Sequence, residues 1–150
     1  MTFNVNAQTK PTKGETIAFI QRTLQLSVGQ TSQYKNTPVR TITAYDFNYD
    51  QIVRTTFLEG RNSDMSEMIT EIKWETLNSV EIHQSNPDGW KMENTSVVGL
   101  TFSSKCKENA DVYTNSFGLI ILKSKAESVK KACLRLSEIA KEENKDPFKD

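Results

Sequence analysis

The sequence predicts an α+β domain: an N-terminal helix, an antiparallel sheet or barrel of six to seven strands, and a C-terminal amphipathic helix. Three observations predict it. Apolar residues recur at helical spacing near the two ends of the chain, at Ile17, Ile20 and Leu24 and again at Val129, Cys133, Leu136 and Ile139. Between those ends the apolar period is two, in segments rich in β-branched and aromatic residues. The turns between segments are short, so neighbours pair antiparallel, and the last helix must lay its single apolar stripe on the sheet.

Taken in order, Thr12-Lys13-Gly14-Glu15 reads as a capping box, in which Thr12 accepts from the Glu15 backbone and Glu15 reaches back. Ala18 and Phe19 widen the stripe behind it, and a helix of about 14 residues ends where Gly29 can take a left-handed cap. Residues 30–38 are polar, and Pro38 discourages regular structure before it. Residues 39–47 and 51–58 read as a hairpin around Asn48-Tyr49-Asp50. After a turn over residues 59–64, Met68, Thr70, Ile72 and Trp74 are expected on one strand face, with Glu71, Lys73 and Glu75 on the other. A break at Leu77-Asn78-Ser79 precedes the alternation of Val80 and Ile82 with Glu81 and His83. Asn86-Pro87-Asp88-Gly89 is the strongest turn signal in the chain.

Val98, Leu100 and Phe102, then Phe117, Leu119 and Ile121, give two further alternating strands. Ser124-Lys125-Ala126-Glu127 repeats the capping-box pattern and opens a helix expected to end near Glu143. Without a repeat or linker, the reading is a lead or signal-peptide remnant over residues 1–11, one domain over 12–143 and a tail over 144–150.

Composition narrows the function classes. Nineteen Lys+Arg balance nineteen Asp+Glu, which argues against a nucleic-acid backbone or an anionic membrane as the main partner. The apolar run Gly118-Leu119-Ile120-Ile121-Leu122 is far short of the ~20 residues that span a bilayer, so no transmembrane segment is expected. Cys106 and Cys133 match no metal-ligand spacing and read as two buried thiols or one strand-to-helix disulfide. Val5-Asn6-Ala7 has the small residues of a signal-peptide end without the basic and apolar regions before it. The protein is therefore exported to the periplasm if Met1 to Ala7 end a longer signal, and cytoplasmic otherwise.

The strand series closed by one amphipathic helix resembles the pleckstrin-homology-like (PH-like) barrel. The stretch from Ile72-Lys73-Trp74 through Leu77-Asn78-Ser79-Val80 to Ile82 is similar to its middle strands, where an L-x-x-V kink joins one strand to the next. The opening Thr12-Lys13-Gly14-Glu15-Thr16-Ile17-Ala18-Phe19-Ile20 resembles that of small Bacteroidetes proteins of similar plan. A START-like helix-grip, with the last helix held by a sheet around an apolar cavity, is the alternative architecture. The PH-like resemblance implies a binding role. Its lipid-binding members carry several cations at the first hairpin, whereas here only Arg40 and Arg54 flank the turn, so no phosphoinositide is expected.

Catalytic motifs are sparse. His83 is the single histidine, and Glu81 on the same strand face is its only local partner, a pair read as a solvated surface pair. Ser103, Ser104 and Ser116 lack a nucleophile-elbow context, and no phosphate-cradling glycine loop occurs. The pairs Glu67/Glu71 and Asp46/Asp50 read as solvent-facing. Lysines 105, 107, 123, 125, 130 and 131 are offset by Glu127, Glu138, Glu142 and Glu143 and lack the interleaved aromatics of a nucleic-acid surface. No enzyme, cofactor or metal is expected.

Trp74 is expected in the core, and Trp90, beside a turn, as a lid or an exposed anchor. Trp90 and Lys91 are the candidate binding residues. The expected function is a non-catalytic binding domain for a protein or peptide, through a groove beside the last helix. The alternative is a carrier of a small apolar ligand, in an interior that Phe47, Phe57, Trp74, Leu100 and Phe102 either line or fill.

Overall fold

A computed structural model describes residues 9–83, 89–145 and 148. Thr12 caps α1 (Lys13–Gln25) with both halves of the capping box formed, Thr12 Oγ1 accepting from Glu15 N–H and a Glu15 carboxylate oxygen accepting from Thr12 N–H. Beyond the helix the chain turns at Gly29, whose φ of +90° is the left-handed conformation its position required.

One antiparallel sheet follows, built from β1 (Thr31–Tyr34), β2 (Arg40–Asn48), β3 (Gln51–Leu58), β4 (Met65–Thr70), β5 (Leu77–His83), β6 (Trp90–Lys91), β7 (Thr95–Glu108) and β8 (Val112–Leu122). Its order is β5-β7-β4-β3-β2-β1-β6, with β8 on the other side of β7. A helix α2 (Ala126–Asn144) ends the fold. The fold class is thus α+β, with the expected helix at each end.

Four expectations need correction. The sheet has eight strands rather than six or seven, because β1 and β6 span four and two residues and carry no readable period. It is not closed into a barrel. A register shift between Thr101 and Cys106 bends the 14-residue β7, so that its first half pairs with β5 and its last two residues with β4. The sheet curls at that bend and leaves β5, β6 and β8 as edge strands.

The strand expected through Trp74 stops at Thr70. Glu71 takes φ +61°, and a 3₁₀ turn (Trp74–Thr76) carries Trp74 into the core instead. There its indole N–H donates to the Tyr49 carbonyl at 2.5 Å. Ser124 does not cap α2 either. It sits in a 3₁₀ turn (Lys123–Lys125), and Lys125 occupies the N-cap without a side-chain bond. The turn residues Asn86, Pro87 and Asp88, the compartment signal at Val5-Asn6-Ala7 and most of the tail lie outside the described residues.

α2 packs on β5, on β7 and on the 3₁₀ turn that carries Trp74. Val98, Leu100 and Phe102 meet Leu119 and Ile121 on one face of β7 and β8, against Val129, Cys133 and Leu136 of the helix. Phe47, Trp74, Phe102 and Phe117 run through this core as an aromatic series with centroids 5.6–6.1 Å apart. Phe57, expected among these residues, is 40% exposed on the outer face of β3. α1 packs on β2, β8 and α2, with Ile20 and Leu24 fully buried. Cys106 and Cys133 are both buried and unpaired, and burial pushes the Cys133 thiol up to about 12.

Candidate binding cleft

The opposite face of β7 and β8 is not packed. There the inner faces of β2, β3 and β4 curl towards β8 without pairing with it, leaving a cleft of about 330 Å³.

Alternation decides which side chains enter it. On β3, Ile52, Arg54, Thr56 and Leu58 share the inner face. On β2 a register shift between Ile42 and Ala44 moves the inward phase from Arg40 and Ile42 to Tyr45 and Phe47. Met65 and Glu67 enter from β4, Val97 from β7, and Gly118 and Ile120 from β8.

Glycine sets the floor. Gly99 and Gly118 face each other directly across β7 and β8. A Cβ on Gly118 would lie 2.6 Å from Val97 Cγ1, closer than real atoms pack, so any larger residue here moves Val97 and reshapes the cleft. Two further depressions, of about 260 and 340 Å³, share Gly118. One adds Tyr45, Ile69 and Glu108; the other is bordered by Glu81 and His83.

The charges are arranged unequally. Arg54 pairs with Glu67 and keeps 20% of its side-chain surface. Burial alone would lower its pKa, but Tyr45 and Glu67 outweigh that and hold it above the ordinary value, so it is a permanent cation. Tyr45 beside it is buried, its hydroxyl pKa is raised by that burial, and its oxygen accepts the Ile120 N–H at 3.1 Å. Arg40 has no ion pair among the described residues. Its guanidinium lies 5.3 Å from the Trp90 ring centre, and its Nε is buried without a hydrogen-bond partner.

Of the sequence candidates, Trp90 reaches the cleft and Lys91 does not. Trp90 is half-buried on β6 and tilts against Tyr34 with centroids 5.4 Å apart, so it forms a wall rather than a free anchor. Gly89 makes that contact accessible to the chain: at φ +86°, any Cβ would fall 2.8 Å from Tyr34 Cε2. Lys91 is exposed on the other side of the two-residue strand. His83 and Glu81 border one depression together, away from both arginines.

The sequence reading passed over Arg40 and Arg54 as cleft residues. Arg54 carried a signal, in phase with Ile52 and Leu58 where a charge needs a reason, whereas the register shift on β2 obscures the phase of Arg40. Among the described residues, no three His, Cys, Asp or Glu side chains converge as metal ligands do, and no helix is long and apolar enough to cross a membrane. Comparison with known proteins finds no matching family model, no matching curated relative and no matching solved structure.

Proposed function

We propose that this chain is a non-catalytic binding domain that holds its ligand in the cleft between β2–β4 and β8. The observation that carries the reading is an open space of about 330 Å³ with mostly apolar walls and two arginines, beside a core that is otherwise filled. An apolar carrier site would be expected in the region of Phe47, Trp74, Leu100 and Phe102, and those side chains pack against one another. The ligand therefore sits on the other side of β7 and β8. None of the three depressions is lined by α2, so the groove first expected beside that helix is the weaker place to look.

The antiparallel strand series with a closing helix supports kinship with PH-like domains, whose known roles are in binding. A protein or peptide partner is the second reading, and a different surface favours it. Val112 and Tyr113 at the start of β8 are 51% and 54% exposed, and the neighbouring Met68 is also exposed.

Backbone amide shifts during titration with a small-molecule library test the first reading. Binders should shift Thr56, Gly118 and Ile120, and Thr56→Phe, which fills the cleft, should abolish those shifts. Shifts clustering at Val112 and Tyr113 instead would favour the partner surface. A library without a single binder in the cleft overturns the proposal.

A further inference from the structure

We propose that the cleft selects a small monocarboxylate on a compact apolar body, with Arg40 as the anchor for its carboxylate. This rests on the binding-domain reading and adds the ligand's chemistry.

The missing acceptor is the first argument. Buried polar groups are almost always hydrogen-bonded, yet Arg40 Nε is buried with nothing to donate to. Nε itself is closed to an atom the size of a carboxylate oxygen, so a ligand meets the two terminal nitrogens, which present two parallel donors to a carboxylate and have no acceptor among the described residues. The Trp90 ring, 5.3 Å away, holds the guanidinium plane before any ligand arrives, so little orientational freedom is left to lose on binding.

Charge balance is the second. The charged side chains lining the cleft are Arg40, Arg54 and Glu67, and Arg54 is already paired with Glu67. One positive charge is left over. A monocarboxylate cancels it, whereas a doubly charged phosphate would leave an uncompensated negative charge beside Glu67.

Shape is the third. Ile42, Leu58, Met92 and Ile120 line the rest of the space, and about 330 Å³ lies at the small end of ligand pockets. A peptide strand laid along β8 would need the edge N–H of Ile120, and Tyr45 already occupies it. That favours a free acid over the end of a polypeptide.

Calorimetric titration with octanoate, with octanamide as its neutral counterpart, and with a short peptide ending in a free leucine carboxylate tests this. The proteins are the wild type, Arg40→Met and Arg40→Lys, each checked for an unchanged denaturation midpoint. Octanoate should bind wild type at least about tenfold more tightly than octanamide, as expected for a charge-assisted pair. Arg40→Met should erase that preference, while Arg40→Lys retains part of it. Equal binding of acid and amide, both blocked by Thr56→Phe, overturns the carboxylate assignment and keeps the binding-domain reading. Tighter binding of the peptide than of octanoate overturns the free-acid assignment. No binding by any of the three overturns this proposal.

Discussion

Cys133 is wholly buried on α2, and its thiol pKa rises from an ordinary 9.0 to about 12 for that reason alone. A raised pKa favours the protonated folded state, so its contribution is complete below pH 9 and is lost as pH climbs towards 12. The denaturation midpoint should therefore fall across that window. Cys133→Ala should flatten the fall only in part, because Tyr49 is also pushed up to about 12, first by burial and then by nearby carboxylates. A pH dependence identical to wild type in the variant would show that the thiol is not buried as described. The arginines teach the complementary lesson. Phe47 was legible as an inward residue of β2, but Arg40 and Arg54 read only as hairpin flanks. The register shift at Ile42 and Ala44 hides the phase that puts Arg40 inside.

The two capping-box patterns look alike in sequence and behave differently as elements. Thr12 closes its box because the chain arrives extended at φ −70°, ψ 167°. At Ser124 the chain leaves β8 directly into a 3₁₀ turn, and the helix begins two residues later, at Ala126. Thr12→Ala should thus cost about 1 kcal/mol, and Ser124→Ala should stay within about 0.5 kcal/mol, both read by urea denaturation. The body of α2 was legible because Val129, Cys133, Leu136 and Ile139 keep one stripe, and all four are buried. Leu136 has no exposed surface, so Leu136→Ala should cost about 2–5 kcal/mol, a large part of an ordinary domain's stability. An unchanged midpoint would mean that the helix is not docked. Period reveals long elements well and short ones not at all, which is why β1 and β6 escaped it.

At the scale of the whole molecule, an open sheet must still keep its two ends in register across the gap. Short local patterns could not reveal this, because the residues that span the gap are 75 apart in sequence. α1 covers one end of the opening, packed on both β2 and β8 and fastened to α2. Lys13 pairs with Glu143, and Arg135 Nε donates to the Pro11 carbonyl at 2.8 Å, while Lys10 pairs with Glu138. Those ion pairs are exposed and contribute little, on the order of 0–1 kcal/mol each. The buried tie is Tyr45. Its oxygen accepts the Ile120 N–H from the free edge of β8 and so joins β2 to that edge inside the cleft. Tyr45→Phe keeps the ring and removes the acceptor, leaving a part-buried N–H without a partner at a cost of about 1–3 kcal/mol. The loss should be local as well as global: the Ile120 amide should exchange with solvent markedly faster, while core amides such as Leu100 slow or quicken only with overall stability. Loss of protection confined to Ile120 and its β8 neighbours places the tie where the hydrogen bond puts it. Unchanged protection at Ile120 would mean that packing of α1 alone holds the two halves of the sheet together, and that the cleft is framed without Tyr45.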